Sequence, residues 1–258
     1  MARSADGTPI AYWPSGSGPP LMMVHGAPAG SYGWELLLPF LEPSITACRI
    51  DRRGHRASGD SRAYAHVREF EDVAAVVADI GGSVDLFGHS FGGPVACEGA
   101  LLAPDVRRVV LYEPWLCEFS PLPEGMLERF EALAAAGDEE GIMMIFLRDF
   151  AGYSDEEIEA LRAQPSWPAR LEAAGVYGRR EARVENDYRL DPDRVSALDA
   201  PVLLLLGSES SSDVRSAVEA FDGALPDSRV VVLEGQGHFA HLMGPELLAQ
   251  HILGFLTG

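Results

Sequence analysis

Short apolar runs alternate with amphipathic stretches over most of the chain. Apolar runs of the length of buried strands lie at residues 8–13, 21–24, 45–50, 84–88, 107–112, 201–207 and 229–233. Apolar side chains recur at helical spacing over residues 31–41, 67–80, 214–225 and 245–256. Near-continuous apolar strands that alternate with helices predict an α/β fold, with a mostly parallel central sheet and helices on both faces.

This alternation is interrupted between Trp115 and about Leu198, where the pattern indicates no strand. Helical segments are predicted there at 124–136, 138–150, 155–163, 168–175 and 179–190. A helical block inserted after one strand predicts a cap above the sheet. We therefore expect an α/β core of residues 1–114 and 199–258 and a helical cap of residues 115–198, with the ligand crevice at the carboxyl ends of the strands.

Length, charge and cysteine content narrow the possible roles. The chain has 258 residues, 47% of them hydrophobic, which fits one large domain with a sizeable core. A net charge of −19 argues against nucleic acid and anionic membrane surfaces as partners. Three scattered cysteines, no signal peptide and no apolar stretch of about 18 residues predict a cytoplasmic protein without a membrane span. We expect a monomer or homodimer that acts on a small-molecule substrate and uses no metal or cofactor.

A serine lies between two glycines directly after one buried strand. The segment Gly88–Gly92 has the sequence Gly-His-Ser-Phe-Gly and fits the G-x-S-x-G motif of a nucleophile elbow. Its glycines permit a sharp turn with close backbone approach, and Pro94 suits the first turn of the helix that follows. Ser90 is the candidate nucleophile, and a glycine-rich turn without chemistry is the alternative interpretation of this motif alone.

Four features in order make the chain resemble the α/β-hydrolase family over nearly its whole length. They are His25-Gly26 after an early strand, the elbow, the helical block and a late Gly-x-Gly-His loop that ends at His238. Residues 51–59 are also similar to the family's D-x-R-G-x-G-x-S motif, except that Arg56 stands where the family has glycine. The resemblance implies the α/β-hydrolase fold, with a catalytic serine, acid and histidine in that order along the chain.

The resemblance makes His238 the general base for Ser90, because a serine hydroxyl needs a base within hydrogen-bond reach. His241, three residues further on, is the weaker candidate. His25 and His89 occupy positions that the family uses structurally. The other histidines are interpreted as surface or packing residues: His55, His66 and His251.

The acid has two main candidates and a remote third. The family's commonest position lies shortly after the strand 201–207, where this chain has Ser210 preceded by Glu209. The family's other position, used in haloalkane dehalogenases, is the end of the strand 107–112, where this chain has Glu113. A carboxylate that ends an apolar strand is costly to bury unless it has a partner, and His238 would supply one. We favour Glu113, with Glu209 as the alternative and Asp213 as a remote third.

Backbone N–H groups of Ala27 and Phe91 are the expected oxyanion hole, because the family takes one donor after the nucleophile and one from the loop after the early strand. Pro28 has no N–H to donate. Aromatic side chains around the crevice are the expected substrate-binding residues: Trp34, Trp115, Phe146 and Trp167. Aromatic residues at helical spacing are also typical of an ordinary core.

The leading function is a serine hydrolase that cleaves a small, largely apolar carboxylic ester, thioester or lactone through an acyl-enzyme. The alternatives that use the same residues are a biosynthetic tailoring enzyme for elimination, acyl transfer or cyclisation, and a cofactor-free haloperoxidase or perhydrolase. A hydrolase-like binding protein without turnover is a further alternative. Epoxide hydrolases and dehalogenases of this fold need an aspartate nucleophile, and Ser90 argues against both.

Overall fold

A computed structural model describes residues 1–61, 63–150 and 153–258. The strands in these ranges are β1 (Ala2–Arg3), β2 (Pro9–Ile10), β3 (Tyr12–Gly16), β4 (Pro20–Val24), β5 (Thr46–Ile50), β6 (Val84–His89), β7 (Val106–Tyr112), β8 (Val202–Gly207) and β9 (Ser228–Leu233). Within the described residues, seven of them form the central sheet in the order β3-β5-β4-β6-β7-β8-β9. The strand β3 pairs antiparallel with β5, and the remaining pairs of this sheet are parallel.

Helices precede or follow most strands of the sheet. The α-helices in the same ranges are α1 (Leu38–Leu41), α2 (His66–Ile80), α3 (Gly92–Ala100), α4 (Met126–Ala136), α5 (Glu139–Ile145), α6 (Asp155–Arg162), α7 (Trp167–Val176), α8 (Ala182–Asp187), α9 (Pro192–Val195), α10 (Ser212–Ala224), α11 (Ala240–Met243) and α12 (Pro245–Thr257). None of the helices in the described part of the chain combines the length and the apolar character that crossing a bilayer requires.

The sheet has an apolar layer on each face, because successive side chains of a strand point to opposite sides. From β7, Val109 and Leu111 pack with α2, α3 and α10 on one face. Val110 and Tyr112 pack with α1 and α12 on the other. The predicted α/β architecture, with a mostly parallel sheet between two layers of helices, is confirmed.

The helices α4 to α9 lie between β7 and β8 and are called the inserted helices (residues 126–195) below. No strand occurs among the described residues between Tyr112 and Val202, as the sequence predicted. The inserted helices have an apolar cluster of their own, in which Phe130 and Ile142 are fully buried. This cluster packs over the carboxyl ends of the strands through Ala27, which also contacts the layer formed by α2, α3 and α10.

Residues 31–41 do not form the single helix that their apolar spacing predicted. A 3₁₀ turn spans Ser31–Trp34, and α1 begins only at Leu38. Pro39 lies in the first turn of α1. Proline has no N–H and its ring clashes with the carbonyl four residues earlier in a continuous helix, so a helix can start here but cannot run through this position.

Two of the inserted helices are shorter than predicted. The helix α5 ends at Ile145 and continues as a π-helical turn over Phe146–Phe150. A second π-helical turn, Tyr177–Glu181, joins α7 to α8. Periodicity predicted one continuous helix for 138–150 and another for 179–190, because a π-helical turn changes the hydrogen bonding without removing the apolar spacing. The short helices α9 and α11 were not predicted.

Candidate active site

Ser90 lies at the turn between β6 and α3 in a left-handed conformation, with φ of +55°. Its N–H donates to the Tyr112 carbonyl at 3.1 Å, and its own carbonyl accepts from the Gly93 and Trp115 N–H groups at 2.8 and 3.1 Å. A positive φ is unfavourable for a residue other than glycine and persists only where its surroundings hold it. These backbone hydrogen bonds to the end of β7 provide that restraint, so the Ser90 side chain stands at a rigid elbow.

The loop after β4 packs directly against this elbow. A Cβ on Gly26 would lie 2.9 Å from the Ser90 Cβ, and a Cβ on Gly92 would lie 2.9 Å from the His25 carbonyl carbon. Both positions therefore require glycine, because a side chain would separate the loop from the elbow. Among the described residues, the N–H groups of Ala27 and Phe91 have no protein acceptor. These are the two donors that the sequence predicted for an oxyanion hole.

Glu113 follows β7 directly and is fully buried, with φ of +45°. Its Oε2 accepts a hydrogen bond from His238 Nδ1 at 2.7 Å. Its Oε1 accepts from the Gly207 N–H at 2.7 Å and from the Ser210 hydroxyl at 2.5 Å. Three donors satisfy the buried carboxylate and fix its orientation toward the imidazole ring.

Glu209, the alternative acid, has a different environment. It is exposed, and its N–H donates to the Gln236 carbonyl at 2.9 Å, while its side chain makes no hydrogen bond to a described residue. Ser210, which occupies the commoner position of the family's acid, donates to Glu113 instead. The geometry therefore assigns the carboxylate beside His238 to Glu113.

Two aromatic residues hold the loop that carries His238. The Tyr112 hydroxyl donates to the Gly237 carbonyl and accepts from the Ala240 N–H at 3.0 Å. His89 Nε2 donates to the His238 carbonyl at 2.8 Å. Burial, followed by the neighbouring His238 and His241, holds the pKa of His89 well below its usual range, so its ring is neutral. Tyr112 was not among the predicted site residues, although a tyrosine at the end of a buried strand needs a polar partner for its hydroxyl.

Ser90 and His238 line the same cavity, but the Ser90 hydroxyl makes no hydrogen bond to the His238 ring among the described residues. Catalytic hydrogen bonds are often long before a substrate binds, so this separation does not argue against a serine–histidine pair. The His241 ring is also in the cavity wall and makes no bond to Glu113. Burial, followed by His238 and Arg170, lowers the pKa of His241 to about 3.

The cavity has a volume of about 710 Å³ and extends between the strand ends and the inserted helices. Of the predicted substrate-binding residues, Trp115 and Phe146 line it. Trp34 does not, because it is buried beneath the sheet with its ring centroid 5.2 Å from that of Phe87. Trp167 also lies outside the lining and packs on the apolar cluster of the inserted helices. The prediction that Trp34 and Trp167 bind the substrate is therefore corrected. The helical spacing of these residues reflects packing in apolar clusters and not a place in the cavity wall.

A buried ion-pair network connects the core to the inserted helices. Arg52 donates to Glu69 at 2.7 Å through two nitrogens and to Glu181 at 2.9 Å. His55, interpreted from the sequence as a surface or packing residue, is buried and bonds Glu181 at 2.8 Å. Burial opposes ionisation of Glu181, but Arg52 and His55 hold its pKa well below the usual range.

The same network positions the loop beside the elbow. The Gly26 carbonyl accepts from Arg52 Nη1 at 3.3 Å and from His25 Nδ1 at 2.8 Å. His25 Nε2 in turn accepts the Arg52 N–H at 3.2 Å. Burial, then His55 and Arg52, keep the pKa of His25 well below its usual range, so its ring is neutral with the proton on Nδ1. The peptide that precedes Ala27 is thereby held in place.

Glu185 is a second buried carboxyl group in the cavity wall. Burial and the neighbouring Glu181 carboxylate raise its pKa to about 8. At neutral pH this side chain is therefore mainly protonated and adds little negative charge to the cavity wall.

The sheet order and the site together define an enzyme of the α/β-hydrolase class. The model of the alpha/beta hydrolase family matches residues 21–251, so the chain belongs to that family.

Individual relatives extend over nearly the whole chain. The pimeloyl-[acyl-carrier protein] methyl ester esterase of Nitrosomonas europaea is 29% identical over 256 residues, which covers 90% of this chain and 93% of the relative. The 2-(acetamidomethylene)succinate hydrolase of Mesorhizobium japonicum is 28% identical, with 93% and 89% covered. The crystal structure of an alpha/beta hydrolase from Sphaerobacter thermophilus has a TM-score of 0.84 and 31% identity, with 99% of both chains covered. Together they support ester hydrolysis as the general activity.

We expect Glu113→Gln to lower kcat by several orders of magnitude without unfolding the protein. An amide can hold the wrong imidazole tautomer, and the analogous change in a serine protease costs about 10⁴-fold. Glu209→Gln is the control and should cost little. Steady-state kinetics on an activated ester together with circular dichroism checks this, and a larger loss in the Glu209 variant would assign the acid to Glu209.

We expect Glu185→Gln to alter the pH dependence of stability. Between the ordinary pKa of 4.5 and about 8, the folded protein retains a proton on Glu185 that the unfolded chain releases, so this group's contribution to stability falls as pH rises. The variant lacks this contribution, and its Tm relative to the native protein should rise from pH 5 to pH 8. Thermal unfolding across this range checks the sign, and a constant Tm difference would contradict the assigned shift.

Proposed function

We propose that the protein is a serine hydrolase of carboxylic esters, with Ser90 as nucleophile, His238 as general base and Glu113 as the acid that orients the histidine. The observation that carries the proposal is the 2.7 Å bond from His238 Nδ1 to Glu113, in a cavity that also contains the Ser90 elbow. That bond leaves Nε2 of His238 as the ring nitrogen that can accept the serine proton.

In the proposed reaction the Ser90 hydroxyl attacks the ester carbonyl while His238 takes its proton. The tetrahedral intermediate collapses when His238 protonates the departing alcohol, and an acyl group stays on Ser90. Water then attacks the acyl-enzyme with His238 again as base, and the carboxylic acid leaves. Glu113 stabilises the imidazolium that forms in each step.

The N–H groups of Ala27 and Phe91 are the proposed donors to the oxyanion. Both are without a protein acceptor in the described structure, and the neighbouring peptide is held by Arg52 and His25. Donors that are fixed before the reaction stabilise developing negative charge without reorganisation, and removal of one such donor typically costs about 10²–10³ in kcat.

The proposed substrate is a small ester with a substantial apolar part. Met143, Phe146 and Leu161 from the inserted helices form an apolar section of the wall. A volume of about 710 Å³ suits a small organic molecule. The relative from Nitrosomonas europaea is a methyl ester esterase, which agrees with a small alcohol as leaving group. Thioesters and lactones would use the same residues.

We expect Ser90→Ala to abolish covalent labelling by a fluorophosphonate and to lower ester turnover by several orders of magnitude, because the acyl-enzyme can no longer form. Labelling followed by mass spectrometry of the modified peptide, with kinetics on p-nitrophenyl acetate, checks both effects. A labelled residue other than Ser90, or full turnover by the variant, would refute the proposed mechanism.

We expect Phe146→Ala to shift the acyl-chain preference toward longer p-nitrophenyl esters, because Phe146 lines the cavity and its truncation adds space. Trp167→Ala is the matched control, since Trp167 packs behind the wall; it should lower Tm and leave the preference unchanged. The ratio of kcat/KM between butyrate and octanoate esters is the readout. Equal shifts in both variants would mean that the two side chains act only through the packing of the inserted helices.

A further inference from the structure

One wall of the cavity contains polar side chains without partners. Tyr32, Arg170 and His241 line the cavity, and each has a buried polar atom that makes no hydrogen bond among the described residues. These atoms are the Tyr32 hydroxyl oxygen, Arg170 Nε and His241 Nδ1. Tyr32 and His241 are each only 7% exposed. Folded proteins rarely leave buried polar atoms unpaired, because each one costs free energy.

These side chains lie close to one another. The Arg170 guanidinium carbon is 5.4 Å from the centroid of the Tyr32 ring. Burial is the main cause of the low pKa of His241, and the charges of His238 and Arg170 lower that pKa further. A neutral imidazole can donate one hydrogen bond, so the Tyr32 hydroxyl, Arg170 and His241 together form a group of donors.

Arg170 has no carboxylate partner, although the chain has 39 acidic residues and only 20 basic ones. Other arginines of the inserted helices pair with acids: Arg162 with Glu140 and Glu159, and Arg183 with Glu131. Within the described residues, no carboxylate lies in ion-pair range of Arg170, and the exposed Glu172 two residues away makes no such contact. An arginine in a cavity wall without a counter-charge favours binding of an anion there.

The departure from the family motif adds a second positive charge behind this wall. Arg56 occupies the position where the family has glycine and has φ of +46°, a conformation that glycine adopts without strain. Its guanidinium carbon lies 5.6 Å from the centroid of the Tyr32 ring. The nearby Asp51 carboxylate is engaged by the Ser31 N–H at 3.3 Å and by Trp13 Nε1 at 3.2 Å. Asp51 and Glu172 act on the Tyr32 hydroxyl as well, so that two carboxylates balance the two arginines around this ring. Of these four charged side chains, Arg170 alone lines the cavity.

We infer that this wall is a subsite for a carboxylate of the substrate, so that the proposed esterase prefers monoesters of dicarboxylic acids to neutral esters. The Arg170 guanidinium would bind the free carboxylate, and the Tyr32 hydroxyl would donate a further hydrogen bond to it. His241 would offer its unpaired nitrogen at the edge of the same subsite. The inference rests on the proposed function for the reaction, but the binding of the anion is independent of turnover.

The kinetic test compares monomethyl glutarate with methyl glutaramate, a neutral substrate of nearly the same shape. The native protein should prefer the acid, and Arg170→Gln should lower the ratio of the two kcat/KM values by roughly 10- to 100-fold. Tyr32→Phe should also lower it, by roughly 10-fold or more, because a hydrogen bond to the charged carboxylate is lost. Arg179→Gln, an exposed arginine on the adjoining π-helical turn, is the matched control and should preserve the ratio.

The binding test uses glutarate on the Ser90→Ala protein, so that it does not depend on catalysis. Glutarate should raise the Tm of this variant and give a measurable binding isotherm, and the additional change Arg170→Gln should remove both effects. Glutaramate serves as the neutral control, and inorganic phosphate tests whether any small anion suffices. Equal stabilisation by phosphate would replace the carboxylate subsite with a general anion site.

The two proposals fail in distinguishable ways. Fluorophosphonate labelling of Ser90 with no preference for the acid, and no binding of glutarate, would overturn the carboxylate subsite alone. Binding of glutarate that depends on Arg170, in a protein without labelling or turnover, would overturn the esterase proposal and retain the subsite. Should Arg170→Gln fail to fold, the Tyr32→Phe ratio and Arg170→Lys decide, because lysine keeps the charge but lacks the planar pair of donors.

Discussion

The Glu113 carboxylate is the interaction on which the geometry of the site depends. It joins three segments that are distant in sequence, because it follows β7 and accepts hydrogen bonds from Gly207 at the end of β8, from Ser210 beyond it and from His238 after β9. A fully buried carboxylate is tolerated only with several donors, so its burial and the alignment of these loops require each other. Ser90 and Glu113 both have left-handed backbone conformations. Each is held by a hydrogen bond from its N–H to a neighbouring strand, to the Tyr112 carbonyl for Ser90 and to the Leu205 carbonyl for Glu113.

The strands, and the sheet edge formed by their carboxyl ends, could be predicted because both depend on local sequence patterns. Apolar runs located β4 to β9 within one or two residues. Parallel strands present their carboxyl ends at one edge of a sheet, and this rule placed Ser90, Glu113, Glu209 and His238 together without distinguishing between the two carboxylates. The prediction of one helix over residues 31–41 was wrong because Pro39 cannot lie inside a continuous helix, although the apolar spacing there is helical.

The cavity wall was harder to predict, because burial in a core and burial beside a cavity give the same pattern. Trp34 and Phe146 have similar apolar neighbours in sequence, yet one packs under the sheet and the other faces the cavity. The polar contacts of Tyr112 and Ser210 join residues that are up to 128 positions apart in the chain. No spacing rule reaches such distances, and the same holds for Tyr32 and Arg170, which approach each other only in the folded chain.

The ion pairs of Arg52 limit how freely the inserted helices could be exchanged between related proteins. Glu181 belongs to the inserted helices, whereas Arg52, Glu69 and His55 belong to the α/β core. The core would keep these three residues if the inserted helices were exchanged for those of a relative. A set of helices taken from a relative would have to supply a carboxylate at the place of Glu181. Breaking a buried ion pair by removing one partner costs about 3–5 kcal/mol, and here Arg52 also supports the Gly26 carbonyl. We therefore expect an exchange of the inserted helices to preserve stability only where the incoming segment places a carboxylate against Arg52.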